Sequence, residues 1–209
     1  MTEVLETEPA AASDLFGERL ELARRFTAAL AAEGEERGLI GPLELPRLWT
    51  RHILNCALVA PLLRPGTVGD VGSGAGLPGL VLAIARPDVD FVLIEPMERR
   101  VTWLNEQAES LGLRNVSVLR VRADDAHLSA PLDQVTARAV SAFRKLIPLV
   151  APLLRPGGEL VLMKGRNASA EIDAAAKEIR KYGLRDVEVV TLGHGVLIEE
   201  TRVIRAKVE

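Results

Sequence analysis

Apolar positions follow two different periods along the chain, and the change falls near residue 66. Before it the spacing is helical. Leu15, Leu22, Phe26 and Leu30 share one face of a helix predicted from Ser13, as N-cap, to about Ala32. Gly34, Gly38 and the Gly41-Pro42 pair end it. A second helix is predicted from Pro46, with Leu48, Trp49, Ile53, Leu54, Leu58 and Leu62, ending near Arg64-Pro65-Gly66. After that the apolar runs are short and β-branched: Thr67–Val71, Phe91–Ile94, Val116–Val121, Gln134–Ala139 and Glu159–Met163 read as buried strands. Helical patterns lie among them at Pro78–Ala85, Met97–Leu111, Phe143–Leu154 and Ala170–Tyr182. Val187–Leu192 and Val196–Lys207 finish the chain as an antiparallel pair turning at Gly193-His194-Gly195. Strands alternating with helices predict a doubly wound, mainly parallel α/β sheet. The expected organisation is a disordered N-terminus (1–12), a helical N-terminal extension (13–65) and an α/β domain (66–209), forming one globular unit.

Composition narrows the class. At 209 residues, 48% apolar and 26% charged, the chain is about one domain with a sizeable core. The longest uncharged apolar run, Leu146–Leu154, is nine residues with two prolines, too short to span a bilayer. The acidic start lacks the pattern of a signal peptide, so a soluble, cytoplasmic protein is expected. The lone Cys56 excludes an internal disulfide framework and a multi-cysteine zinc site, and no metal is expected. A net charge of −3 and 3% aromatics argue at first against a nucleic-acid partner. The charge is segregated, however. Residues 1–36 carry nine acids against three arginines, a net −6, whereas 138–166 carry six cations against Glu159 alone, a net +5.

The chemistry centres on Asp70-Val71-Gly72-Ser73-Gly74-Ala75-Gly76-Leu77-Pro78-Gly79, between the first strand and a helix. Its glycines permit positive φ and close backbone approach to a ligand. Gly74-x-Gly76-x-x-Gly79, with Glu95 about 20 residues on, matches a dinucleotide fingerprint. Asp70-x-Gly72-x-Gly74-x-Gly76 matches the first motif of S-adenosylmethionine methyltransferases. A dinucleotide brings a diphosphate to the helix N-terminus, where Asp70 would oppose it. S-adenosylmethionine has no phosphate and carries two cationic groups, which Asp70 suits, while Glu95 can accept from both ribose hydroxyls. Arg122-Ala123-Asp124-Asp125 follows the third strand, where such folds place a polar side chain near the adenine amino group. The methyltransferase reading leads.

Several catalytic devices are missing. No Asn/Asp-Pro-Pro-aromatic loop for an exocyclic amine follows the fourth strand, which reads Thr136-Ala137-Arg138-Ala139-Val140. Cys56 lies on an apolar helix, the wrong place for a pyrimidine-C5 nucleophile. His52, His127 and His194 are scattered, so no general base stands out and no catalytic residue is assigned. Guanine N7, with a free lone pair and no proton, needs only alignment with the methyl group. The arginines then suit phosphates or the guanine O6 edge.

Four pieces in order carry a resemblance: Arg51-His52-Ile53-Leu54-Asn55, the Asp70–Gly79 loop, Ala137-Arg138-Ala139, and Lys164-Gly165. With these spacings the chain closely resembles the RsmG (GidB) family of bacterial small-subunit rRNA methyltransferases, over roughly Phe16 to Lys207. The resemblance implies a Rossmann-like class I S-adenosylmethionine-dependent fold and methylation of guanine N7 in the 530 loop of 16S rRNA. By position, Gly72, Leu77, Ala123, Asp124 and Arg138 then look like cofactor contacts beside Asp70, Gly74, Gly76 and the ribose acid Glu95. Arg51, His52, Lys164 and Arg202 are implied to face the substrate. Asn55 stands where the family commonly has Asp, and Ala137 where Ser is common. The expected partner is 16S rRNA or the small ribosomal subunit, with no membrane and a monomeric enzyme. An NAD-dependent oxidoreductase and a non-catalytic RNA-binding or ribosome-assembly factor are the rival readings.

Overall fold

In a computed structural model, residues 4–195 and 200–209 are described. Seven strands form one sheet in the order β3-β2-β1-β4-β5-β7-β6. They are β1 (Thr67–Val71), β2 (Asp90–Ile94), β3 (Val116–Leu119), β4 (Leu132–Arg138), β5 (Leu154–Lys164), β6 (Leu184–Leu192) and β7 (Thr201–Val208). β1 to β5 pair in parallel, and β7 inserts antiparallel between β5 and β6. The order reverses between β1 and β4, and a crevice outside the carboxyl ends of the strands at that point is where ligands of open α/β sheets bind.

The buried strands present apolar side chains to both faces, as a parallel sheet covered on both sides requires. Phe91, Leu93, Val161 and Met163 belong to one core with α1 (Ala11–Phe16), α2 (Leu20–Glu33), α4 (Gly79–Ala85) and α5 (Glu98–Ser110). Ile94, Val135, Leu160 and Leu162 belong to the other, with α6 (Phe143–Val150), α7 (Ala168–Ala174) and α8 (Ala176–Lys181). Phe16, Phe26 and Leu30 of the N-terminal helices bury in the first core with Leu80 and Trp103. The helical extension therefore builds one face of the sheet's covering.

Element boundaries depart from the sequence pattern for local reasons. The first helix starts at Ala11, and a 3₁₀ turn at Gly17–Arg19 divides it where Gly17 takes φ +51°. Ser13 is inside α1 and caps nothing; the cap position is Ala10. Where disorder is predicted over 1–12, the described residues 4–12 lie on the helical layer. Glu6 N–H bonds the Leu45 carbonyl at 2.9 Å, and Glu8 accepts from Arg24 at 2.6 Å. The helix predicted from Pro46 to near Arg64 is a series of short turns: a 3₁₀ turn at Leu45–Arg47, a π-helical stretch at Leu48–Leu54, α3 (Asn55–Ala57) and another 3₁₀ turn at Ala60–Leu62. The helix expected to run to Leu154 ends at Val150, because Leu154 already pairs with Leu132. Ala175 divides the one expected over 170–182 into α7 and α8. Residues 196–199 of the last predicted strand lie outside the described residues.

Candidate active site

β1 ends at Val71 and the chain enters the glycine loop, where Gly72, Gly74 and Gly76 have φ of +71°, +55° and +90°. A Cβ on Gly72 would lie 2.9 Å from Val140 Cγ2, and one on Gly76 would lie 2.4 Å from Leu80 Cδ1. Left-handed backbone and this lack of room both demand glycine. Six of the loop's N–H groups are taken by acceptors of the protein itself. Gly72 and Ser73 donate to the Ile94 carbonyl, and Gly76 and Leu77 donate to the Ser73 carbonyl. Gly74 donates to Glu95 Oε2 and Gly79 to Asp70 Oδ2, both at 3.0 Å. A loop that cradles a diphosphate aims its N–H groups at the ligand. This one does not, which opposes the dinucleotide reading.

Two cavities open at the carboxyl ends of the parallel strands, the smaller of them beside the loop. One, of about 370 Å³, is lined by Gly72, Glu95, Met97, Ala123, Asp124 and Arg138, among others. Five of the sequence-predicted cofactor residues therefore converge. Asp70, Gly74, Gly76 and Leu77 do not line it. Asp70 is fully buried, and its Oδ1 has no hydrogen-bond partner. Burial raises its pKa to about 7, against the opposing pull of Ser73, the Gly79 N–H and Arg138. In this structure it anchors the loop through the Gly79 N–H. Glu95, 2% exposed, accepts from Gly74 N–H and from Met97 N–H at 3.0 Å, which ties the loop to the start of α5. A carboxylate has about four lone-pair sites, so its capacity is half used. Asp124 is exposed and bonded by Arg122 at 3.2 Å, which holds its carboxyl below the usual range. Met97 and Val140 add exposed apolar surface at the rim.

The second cavity is larger, about 1290 Å³, and brings together Arg51, His52, Lys164 and Arg202. They come from the π-helical stretch, β5 and β7, so three separated parts of the chain meet. Lys164 is not a free cation. Its side chain is 7% exposed, with Nζ 2.9 Å from Glu171 Oε2 and donating to the Ser141 carbonyl at 2.6 Å. Arg202 pairs with Glu200 at 3.2 Å. Arg51 and Arg166, also in this lining, are exposed, Arg51 with its Nε 3.7 Å from Glu44 Oε2. Arg155 of the basic segment lies at the opposite end of β5, paired with Asp133 at 2.6 Å, and so does not serve the cleft.

Sequence reasoning missed Glu44 and Glu171, both in this lining. Glu44 accepts from Arg47 at 2.7 Å and contacts His52 Nε2 at 2.6 Å. Glu171 also accepts the Phe143 N–H at 2.7 Å. Nothing local marks them, since their partners lie across the fold or on an irregular turn. Asn55 donates to Thr201 Oγ1 at 2.6 Å, which uses an amide hydrogen that Asp would lack. Ala137 is buried in the second core and has no part in the cleft.

Arg138, Ala139 and Val140 line both cavities and form their common wall. Arg138 is in no ion pair with a carboxylate among the described residues. Its Nη1 donates to the Arg51 carbonyl at 3.3 Å, and its Nη2 meets His52 Nδ1.

Comparison with known proteins decides the family. Residues 19–201 match the family described as GidB, rRNA small subunit methyltransferase G. A protein of Leifsonia xyli subsp. xyli named ribosomal RNA small subunit methyltransferase G is 76% identical over the full length of both chains. One of that name from Corynebacterium glutamicum is 47% identical over 97% of this chain and 93% of its own. The chain belongs to the rRNA small subunit methyltransferase G family.

Members of solved methyltransferase structures share the fold at low identity. TYW2 of M. jannaschii in complex with AdoMet superposes with a TM-score of 0.59 at 20% identity, covering 76% of this chain and 75% of that one. A SAM-dependent O-methyltransferase of Thermotoga maritima gives 0.56 at 16%, covering 74% and 64%. The chain thus has the Rossmann-like α/β methyltransferase fold that its strand order describes. No helix among the described residues is long and apolar enough to cross a membrane.

Proposed function

We propose that this protein transfers a methyl group from S-adenosylmethionine to N7 of a guanine in the 530 loop of 16S rRNA, as a cytoplasmic monomer acting on free rRNA or on the small subunit. The observation that carries this reading is the wall Arg138-Ala139-Val140, shared by a carboxylate-bearing cleft and a cation-lined cavity. The residues of the smaller cleft fit S-adenosylmethionine. Arg138 is a guanidinium without a carboxylate partner and suits the amino-acid carboxylate. Glu95 retains acceptor capacity for ribose hydroxyls, and Asp124 stands at the rim for an adenine amino group. When bound, the cofactor supplies an electrophilic methyl group on a sulfonium.

The larger cavity supports N7 as the acceptor through the commitments of its titratable groups. His52 has contacts at both ring nitrogens, from Glu44 and Arg138. Lys164 is held by Glu171, and Glu200 pairs with Arg202. His194, the other imidazole of this lining, is 93% exposed with Nδ1 3.4 Å from Glu200 Oε1, and no enclosed base is left uncommitted among the described residues. Guanine N7 carries no proton to remove, so this chain's contribution is to bind, orient and exclude water. The exposed Arg51 and Arg166 suit phosphates. The test is mass analysis of nucleosides from 16S rRNA of strains with and without the protein. Loss of 7-methylguanosine from the 530 loop on deletion is expected; an unchanged level overturns the reading and leaves a non-catalytic role.

A further inference from the structure

Arginine has hydrogen-bond donors only, and an ionised carboxylate has acceptors only. His52 stands between one of each. Its Nδ1 faces Arg138 Nη2, and its Nε2 faces Glu44 Oε2 at 2.6 Å. Both contacts are hydrogen bonds in one protonation state alone: a neutral imidazole with its proton on Nε2. Nε2–H then donates to Glu44, and Nδ1 accepts from Arg138. The arrangement is enclosed, since His52 is 8% exposed. Arg138 is the guanidinium that lines both cavities, and it depends on His52, the Arg51 carbonyl and Cys56 Sγ for its orientation.

We infer that His52, locked in its Nε2–H tautomer by Glu44, is the positioning residue that holds Arg138 toward the cofactor cleft, and that protonation of His52 releases Arg138 and weakens cofactor binding. This rests on the reading of the smaller cleft as the S-adenosylmethionine site. It gives His52 a different task from the substrate contact that the family resemblance implies. A second proton on Nδ1 removes the acceptor and places an imidazolium against a guanidinium. The groups facing the pair are Glu44 from the preceding loop, Arg51 on the same stretch, and Asp70 and Cys56 near Arg138. Among them Glu44 alone bonds the ring and favours its charged form. Burial, then Arg138, keep the His52 pKa below the ordinary value despite Glu44. Arg138 therefore stays in place at neutral pH and is lost only on acidification.

The experiment measures S-adenosylhomocysteine affinity by calorimetry from about pH 8 to about pH 5, bracketing an ordinary histidine pKa. It is accompanied by nitrogen NMR of the imidazoles. The wild type is expected to lose affinity roughly tenfold or more on the acid side, the worth of one charge-assisted hydrogen bond. His52→Ala is expected to bind weakly at every pH. His52→Gln, which can accept from Arg138 and donate to Glu44 without titrating, is expected to recover much of that loss and to show no acid limb. Glu44→Gln removes the charge that favours the imidazolium, so its limb is expected at lower pH. A wild-type profile that is flat, or an acid limb that persists in His52→Gln, overturns the inference. An Nδ1–H tautomer by NMR overturns it whether or not the ligand binds. Failure of S-adenosylhomocysteine to bind at any pH instead refutes the cofactor reading, and the tautomer still decides the positioning role.

Discussion

Asp70 shows how an acid of the glycine motif braces the loop that carries it. Its position in the glycine motif is readable in the sequence, but its burial is not. Fully enclosed, it spends Oδ2 on the Gly79 N–H and leaves Oδ1 unpaired. Thr136, its registered neighbour on β4, also has an unpaired buried hydroxyl. Because the folded-state pKa is raised to about 7 from an ordinary carboxylate value, the stability it contributes is fully present at low pH. That stability is lost as pH rises through about 7, where burying the ionised form costs free energy. Asp70→Asn keeps an acceptor for Gly79 and cannot ionise. Its stability relative to wild type, read by denaturant unfolding, is expected to improve by on the order of 2 kcal/mol between about pH 5 and about pH 8.5. A stability difference that does not change with pH would refute the assignment.

At the scale of elements, the loop between β1 and α4 is held by side chains from its neighbours. Glu95, at the end of β2, gathers the Gly74 and Met97 N–H groups, and the Trp103 indole on α5 donates to the Ala75 carbonyl at 3.0 Å. Glu95→Gln replaces one acceptor oxygen by a donor, so one of the two N–H groups loses its partner. Stability is expected to fall by about 1–3 kcal/mol, the usual cost of an orphaned buried donor. S-adenosylhomocysteine affinity is expected to fall with it. Asp124→Asn, on an exposed residue outside the loop, is expected to weaken binding while leaving the melting temperature within about 1 °C. Equal melting losses in both variants would separate Glu95 from loop support. Much at this scale was legible: every predicted strand corresponds to one in the sheet, because their β-branched runs are long enough to be distinct. The Leu48–Leu54 stretch was not. Its apolar spacing reads as an α-helix, yet it winds as a π-helix, a form frequent at functional sites, and it carries Arg51 and His52.

Across the whole molecule, the charge segregation has a narrower meaning than its arithmetic. Of the six cations in 138–166, Arg155 is at the far end of the sheet and Lys164 is buried against Glu171. Arg138 lies in the dividing wall, while Arg51 from the N-terminal layer joins Arg166 at the larger cavity. The salt-dependent part of RNA binding is therefore expected from Arg51 and Arg166. The double Ala variant should lower the slope of log affinity against log salt by roughly 1–2, with S-adenosylhomocysteine affinity retained. An unchanged slope would place the RNA elsewhere. By itself the sequence determined the α/β class, the strand positions, the glycine loop and the family resemblance, because these depend on local periodicity and on glycines required by positive φ. Only the tertiary structure decided which charges are free, which acids support the loop and which residues share a wall. Those properties depend on burial and on partners far apart in sequence, such as His52 with Arg138 and Asn55 with Thr201.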